Sequence, residues 1–390
     1  MSNDAREMLR DARGRAAGAR AKPVLSVLDM VPVSAGRSRA EALTEMTGLA
    51  RACEEAGYTR YWIAEHHGST TFMAAATTVL MGQVLAATSR IQVVSGGIML
   101  PNHSPLVVAE QIGTLATLYP GRVGLGLGRA PGTDPLTALA LRRGAADPSS
   151  FREEVLETLG YLTDEDRGGV VDAVAGAHVP GSLASQHEPQ PGTAPGAPSA
   201  PSPASAPPVV RALPGQGTKP PVWLLGSSVN GARVAGGLGL PFVSAAHFAP
   251  HQAEAAVMAY RSVFNPQAPS ACCSRPQVGA AVQVVVAPTR QEARRLFTTT
   301  QAASARLVSG CPAPLDPPTA DLEAWRALAL GKEALVEASL AGALVGEPAE
   351  VADGLLALAG SWDLDELVLL TNVYDARARQ ESYRLLAEQW

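Results

Sequence analysis

The sequence is poor in cysteine, aromatic residues and charge. Its 390 residues hold four cysteines, 5% aromatic and 17% charged residues. Cys53, Cys272, Cys273 and Cys311 show no C-x-x-C spacing, which excludes a disulfide framework and a cysteine zinc site as expectations. Reduced thiols in a cytoplasmic enzyme are the ordinary reading. Positive charge is not in excess either. A net charge of −5 and a pI near 5.9 leave no basic footprint for nucleic acid. Mean hydropathy is +0.07, yet no apolar run reaches the roughly 18 residues of a membrane helix. The first residues carry Arg6, Arg10, Arg13, Arg15, Arg20 and Lys22 without an apolar segment, unlike a secretory signal. Residues 1–22 are therefore expected as a disordered basic extension, and 23–390 as a single domain.

What the chain does have is a repeating alternation. Val24 to Asp29 reads as a buried strand. Ser38 and Glu41 then stand at capping-box spacing, Leu43, Met46, Ala50 and Cys53 recur at helical spacing, and Gly57 closes the helix. Short apolar strands follow at 61–64, 91–94, 123–127, 222–225, 241–246, 278–287 and 366–370. Helices are expected between them, including 73–87, 105–118, 150–163, 250–264 and 376–388. Residues 189–221 break the rhythm with 11 of the 31 prolines. Such a stretch cannot bury enough surface to offset its ordering entropy, so 185–221 reads as a disordered insertion. The alternation resumes beyond it, which keeps it within one domain. Eight strands alternating with helices predict an α/β fold, a TIM (β/α)8 barrel with a proline-rich insertion before strand five. A doubly wound open sheet is the alternative.

In such a barrel the chemistry lies where strands end. Those ends are Asp29, Glu65-His66-His67, Ser95-Gly96-Gly97, Gly128-Arg129, Gly226-Ser227-Ser228, His247 and Thr371-Asn372. A histidine can move protons near neutral pH, but His66 and His67 could equally cap the barrel rim. Neighbouring residues on a strand point to opposite sides, so one of the two faces the mouth. Adjacent histidines rarely converge on one ion and no third ligand has useful spacing, so no metal site is expected. Gly96-Gly97 allows close approach to a flat ligand, or is an ordinary bulge. Arg129 suits a phosphate, and Ser227-Ser228 opening a helix makes an anion site or a plain cap. On neighbouring strand ends the two together suggest a phosphate grip. Gly124, Gly126 and Gly128 lie within a strand rather than opening a helix, and are no dinucleotide fingerprint. His103 lines the pocket or opens a helix, His247 is read as a satisfied rim residue, and Cys272-Cys273 as inert.

These residues carry a family likeness. Tyr61 to His67, Ser95 to Pro105, Pro120 to Gly132, Trp223 to Ser228, Val345 to Pro348 and Asp365 to Leu367 occur in an order that resembles the bacterial luciferase-like flavin-dependent monooxygenases. The likeness runs from about residue 24 to 388, excluding the proline-rich stretch, and its nearest branch is the one associated with natural-product tailoring. It implies a TIM barrel that binds reduced FMN, supplied by a separate flavin reductase, and oxygenates a small-molecule substrate with dioxygen. It implies His66 as acid or base, a non-prolyl cis peptide at Gly96-Gly97 against the flavin, and phosphate contacts from Arg129, Gly226, Ser227 and Ser228. A homodimer is implied too, with no membrane or nucleic-acid partner. Gly128 stands where luciferase itself has a reactive cysteine, so light emission is not expected. Two other readings remain at this point: a deazaflavin-dependent hydride-transfer enzyme on the same scaffold, and a noncatalytic flavin-binding protein.

Overall fold

The computed structural model describes residues 22–130, 132–142, 149–163 and 210–390. Ten strands occur among them: β1 (Val24–Asp29), β2 (Arg60–Ile63), β3 (Gln92–Ser95), β4 (Ile98–Met99), β5 (Val123–Gly128), β6 (Val222–Gly226), β7 (Phe242–Ser244), β8 (Val278–Val286), β9 (Leu344–Gly346) and β10 (Glu366–Leu370). Eight of them close a parallel ring in the order β1-β2-β3-β5-β6-β7-β8-β10, with β10 returning to β1. This is the TIM barrel that the alternation predicts. The two extra strands are too short to be read from sequence; β4 pairs with β5 and β9 with β8.

Local chemistry accounts for the surrounding helices. The helix Arg39–Glu55 opens on the expected capping box, Ser38 and Glu41 bonding reciprocally. It buries Met46, Leu49, Ala50 and Cys53. The helix expected at 73–87 starts only at Thr77. Its first residues are drawn away: Met73 N–H donates to the Val31 carbonyl, and the Ala74 carbonyl accepts from His66 N–H. The helix Pro135–Arg142 has no counterpart in the expected alternation.

The barrel interior is set by one ion-pair layer near the strand starts. Glu366 accepts from Ser26 Oγ at 2.5 Å and Trp62 Nε1 at 3.3 Å, and pairs with Arg60 at 3.0 Å. Arg60 lies over the Trp223 ring at 5.0 Å, and Trp223 meets Trp62 edge to face. These groups come from β1, β2, β6 and β10, so their side chains point inward. Space above them is tight. A Cβ on Gly124 would come within 2.8 Å of Trp223, and one on Gly126 within 2.1 Å of the Ser95 carbonyl. The glycine run is thus a packing requirement of the interior.

Two expectations about the chain's margins need correction. Lys22, placed in the basic extension, donates from Nζ to the Trp390 carbonyl at 2.8 Å and belongs to the fold; residues 1–21 lie outside the described residues. The proline-rich stretch up to 209 also lies outside them, but 210–221 does not behave as an unpacked loop. Ala212 is buried, Leu213-Pro214 is cis, and Gly217 N–H donates to the Leu162 carbonyl at 3.2 Å. Gly215 crosses the helix Pro105–Leu118 at Gly113, so closely that a Cβ on either would fall 2.3 Å from the other's Cα. That approach anchors the returning chain before β6.

Candidate active site

The residues expected to hold a phosphate come together. Gly128 pairs with Leu225 across β5 and β6, so the two strands end side by side. Arg129 then places Nη2 3.3 Å from Ser228 Oγ. Ser228 caps the helix Val229–Gly237 through a bond from Gly231 N–H at 3.4 Å. Arg129 has no carboxylate partner among the described residues. A half-buried guanidinium beside a capped helix N-terminus is a positive site suited to an anion. Ser227 and Gly226 adjoin it in sequence on the same strand end.

Gly96-Gly97 follows β3 as a cis peptide. The crowding at these glycines is internal. A Cβ on Gly96 would meet Leu28 at 2.9 Å, and one on Gly97 the Gly126 carbonyl at 2.8 Å. Packing alone therefore demands both glycines, and their backbone then passes into the segment Ile98–His103.

That segment is tied down by Glu65, a residue to which the sequence assigns no separate role. Glu65 Oε1 accepts from His67 Nε2 at 2.9 Å and from His103 Nε2 at 2.8 Å, while Oε2 accepts from Met99 N–H at 3.2 Å. Burial pushes the carboxyl pKa up, but the hydrogen bonds from His103 and His67 outweigh it and hold the pKa at about 2. The buried carboxylate thus binds the end of β2 to the segment after the cis peptide. The expectation that no third metal ligand is available fails on this geometry. Glu65, His67 and His103 bring potential ligand atoms within 4.8 Å of one another. Their 2.8–2.9 Å contacts are hydrogen-bond lengths, and a cation would have to replace both of them.

His66 takes the opposite direction to Glu65. Alternation from the inward Trp62 turns it into the mouth, where its ring lies 5.6 Å from Phe72. Burial lowers its pKa, against the opposing charge of Glu65, so the ring is neutral at neutral pH. His247, read as a satisfied rim residue, is at best weakly satisfied: its buried Nδ1 meets no partner at good hydrogen-bond geometry, with the Ala281 carbonyl nearby. Burial first, and the charge of His66 second, bring its pKa down to about 4. His66 follows β2 and His247 follows β7, which stand opposite each other in the ring.

Asp29 does not join the site. It points outward, accepting from Arg379 Nη2 at 2.8 Å and from the Tyr61 hydroxyl. Cys272 and Cys273 lie away from the mouth with sulfurs 3.6 Å apart, and the hydrogen bond from Cys273 brings the Cys272 pKa to about 7. The mouth thus gathers His66, Gly96, Gly97, Arg129 and Gly226 to Ser228 from the predicted set.

Comparison with known proteins gives a consistent answer. The sequence model of the luciferase-like monooxygenases matches residues 24–363. A luciferase-like monooxygenase of Escherichia coli (strain K12) is 38% identical over 361 residues, 92% of this chain and 95% of that one. The crystal structure of apo-MsnO8 superposes with a TM-score of 0.73 at 30% identity, covering 94% of this chain and 98% of that one. More distant structures share the fold alone. They include the oxygenating constituent of 3,6-diketocamphane monooxygenase from Pseudomonas putida in complex with FMN (TM-score 0.65, 17% identity, 94% and 97% covered). An F420-dependent secondary alcohol dehydrogenase is another (TM-score 0.59, 14% identity, 95% and 98% covered).

Proposed function

The chain belongs to the luciferase-like monooxygenase family, and from that premise we propose that it is an FMN-dependent monooxygenase acting on a small organic substrate. Reduced FMN would come from a separate flavin reductase, with the protein working as a homodimer in the cytoplasm. The observation that carries the reading is the Arg129–Ser228 pair, a guanidinium with no carboxylate partner among the described residues, at a capped helix N-terminus. These residues fit a phosphate monoester. Arg129 would hold its oxygens, and the amides after Ser228 would complete the grip. Gly96-Gly97 follows β3, next to β5 on the same rim, where backbone rather than side chain would face the ring system. The flavin, when bound, supplies the activation of dioxygen.

The chain's own residues supply the rest. His66, uncharged at neutral pH, can accept a proton at a ring nitrogen and return it. Glu65 fixes the segment after Gly97 and keeps His67 and His103 oriented as donors. The apolar interior of Leu28, Trp62 and Leu225 closes the site from below and keeps water from that side.

Anaerobic titration of the purified protein with reduced FMN, followed by oxygen uptake in a stopped flow, tests the assignment. Saturable binding and an oxygen reaction altered from that of free flavin are expected. Reoxidation at the free-flavin rate with no FMN binding, together with saturable binding of coenzyme F420, would overturn it in favour of hydride transfer.

A further inference from the structure

Five buried polar atoms on the barrel strands or at their ends lack a partner among the described residues; Arg60 Nε lies in the ion-pair layer and Ser244 Oγ on the outer face of β7, and the other three, Gln283 Nε2, Asn372 Oδ1 and His247 Nδ1, lie toward the mouth. Gln283 and Asn372 are only 5% and 6% exposed, so water does not freely satisfy them. Native interiors rarely leave such groups unpaired, and each one calls for an explanation.

Their direction follows from strand parity. Glu366 points inward, as its bonds to Ser26 and Trp62 require. Alternation along β10 turns Val368, Leu370 and then Asn372 inward as well. Leu370 pairs with Gln283, which puts Gln283 on the same inner face of β8. Glu366 and Val243 both pair with Gly279, so Val243 is inward; His247 stands just beyond that strand in the turn Ala245–Phe248, near enough to His66 for the two rings to feel each other's charge. A bond from His247 N–H to the Ala281 carbonyl at 2.7 Å holds that residue against β8.

The three groups therefore line one wall, at the ends of β7 and β10 and well along β8. In the closed ring β8 faces β3, β10 faces β5, and β7 faces β2. The wall thus looks across the mouth at Gly96-Gly97, Arg129 and His66. None of its three groups is an acid or a strong base. The wall offers a donor, an acceptor and an imidazole that can serve as either.

We infer that this wall is the substrate's head-group subsite, and that it selects an uncharged group that both donates and accepts hydrogen bonds, of the amide class, over a carboxylate. The inference rests on the monooxygenase reading only in calling the ligand a substrate. The wall itself carries no cation to meet an anion, whereas an amide answers Gln283 and Asn372 together. A buried polar pocket left unpaired discriminates strongly against an analogue lacking the matching group.

N-hexylacetamide, hexanoate and hexyl methyl ether serve as probes. Their binding to the full-length protein is measured by calorimetry, with and without oxidised FMN, and FMN affinity is measured separately. The amide is expected to bind at least tenfold tighter than either analogue. Gln283→Leu and Asn372→Leu should each weaken amide binding about tenfold, leave FMN affinity in place, and keep or raise the melting temperature, because no internal hydrogen bond is lost. Equal binding of hexanoate or the ether, or amide binding unchanged in the double variant, overturns the subsite. So does a fall in melting temperature in both single variants, which would mean that the groups have internal partners. Because the amide is also titrated without flavin, a protein that binds no FMN loses the cofactor assignment while the amide titration still tests the wall.

Discussion

His103 donates from Nε2 to Glu65 Oε1 at 2.8 Å, across 38 positions of the chain. The same oxygen accepts a hydrogen bond from His67 Nε2, and the other oxygen accepts one from Met99 N–H. One carboxylate thereby closes the loop that leaves the Gly96-Gly97 peptide. Glu65→Gln keeps the shape and removes the charge, and an amide presents only one accepting oxygen. The substitution is expected to cost about 2–4 kcal/mol in stability, since it leaves buried donors unmet. Urea unfolding measures it, and a loss below about 0.5 kcal/mol would remove Glu65 from this role.

The same carboxylate predicts a pH window. Its folded-state pKa of about 2 lies below the ordinary carboxyl value, because His103 and His67 outweigh the opposing effect of burial. A depressed carboxyl pKa stabilises the fold fully above the unfolded value, near 4.3, and that stability is lost as pH falls toward 2. The contribution is on the order of 3 kcal/mol. Wild-type stability should therefore fall more steeply than that of Glu65→Gln between about pH 4.5 and 2. Parallel acid unfolding curves for the two proteins would contradict it.

The sequence already spoke clearly about the barrel, which rests on local signals; Arg129 and Ser228 were each weak signs that suggested a phosphate grip only together. Strands end where apolar runs end, and in a closed parallel barrel neighbouring strand ends meet. Glu65 was less legible. Its partners depend on where the segment carrying His103 returns, which no local pattern states. Asp29 was misplaced for a simpler reason: at a strand end one residue decides between inward and outward, and here Asp29 shares the outward face with Tyr61. Gln283 was legible in principle. It is a lone amide within Val282-Gln283-Val284, and a polar residue amid valines on a buried strand asks where its hydrogen bonds go.

The outward Asp29 yields its own prediction. Its carboxylate and the Arg379 guanidinium are both buried, 2.8 Å apart, and Arg379 Nε also donates to the Thr371 carbonyl at 2.7 Å. Removing one member of a buried pair strands the other charge, at about 3–5 kcal/mol. Asp29→Asn should lose about that much by denaturant unfolding, whereas Asp29→Asn with Arg379→Met should recover part of it. A double variant no better than the single would show that the carboxylate's bonds to Tyr61 and Val31 N–H matter more than the pair.

Arg129 is expected to act on cofactor affinity. Its Nη2 lies 3.3 Å from Ser228 Oγ, and no carboxylate among the described residues pairs with it. Charge-assisted hydrogen bonds contribute roughly 1.5–3 kcal/mol, or about 10- to 100-fold in Kd. Arg129→Ala should weaken FMN by that factor, and riboflavin, which lacks the phosphate, should bind wild type and variant alike. A variant that loses riboflavin as severely as FMN would show the arginine holding the pocket's shape instead of a phosphate.

His66 carries the prediction about turnover. Burial disfavours its cation, with the charge of Glu65 pulling the other way, so its pKa lies below the ordinary 6.5. If the neutral ring takes a proton during turnover, the acid limb of kcat/KM with reduced FMN has its midpoint below the pH 6.5 of an ordinary histidine. His66→Asn should slow turnover by roughly 100-fold or more and abolish the acid limb, because no ring remains to titrate. His247→Asn provides the contrast. It takes from His66 the ring facing it across the mouth, whose own pKa is lowered by burial and by the charge of His66. The limb should persist in that variant, since burial and not His247 sets the direction for His66. An acid limb that survives in His66→Asn and vanishes in His247→Asn would transfer the proton to the ring on the opposite wall.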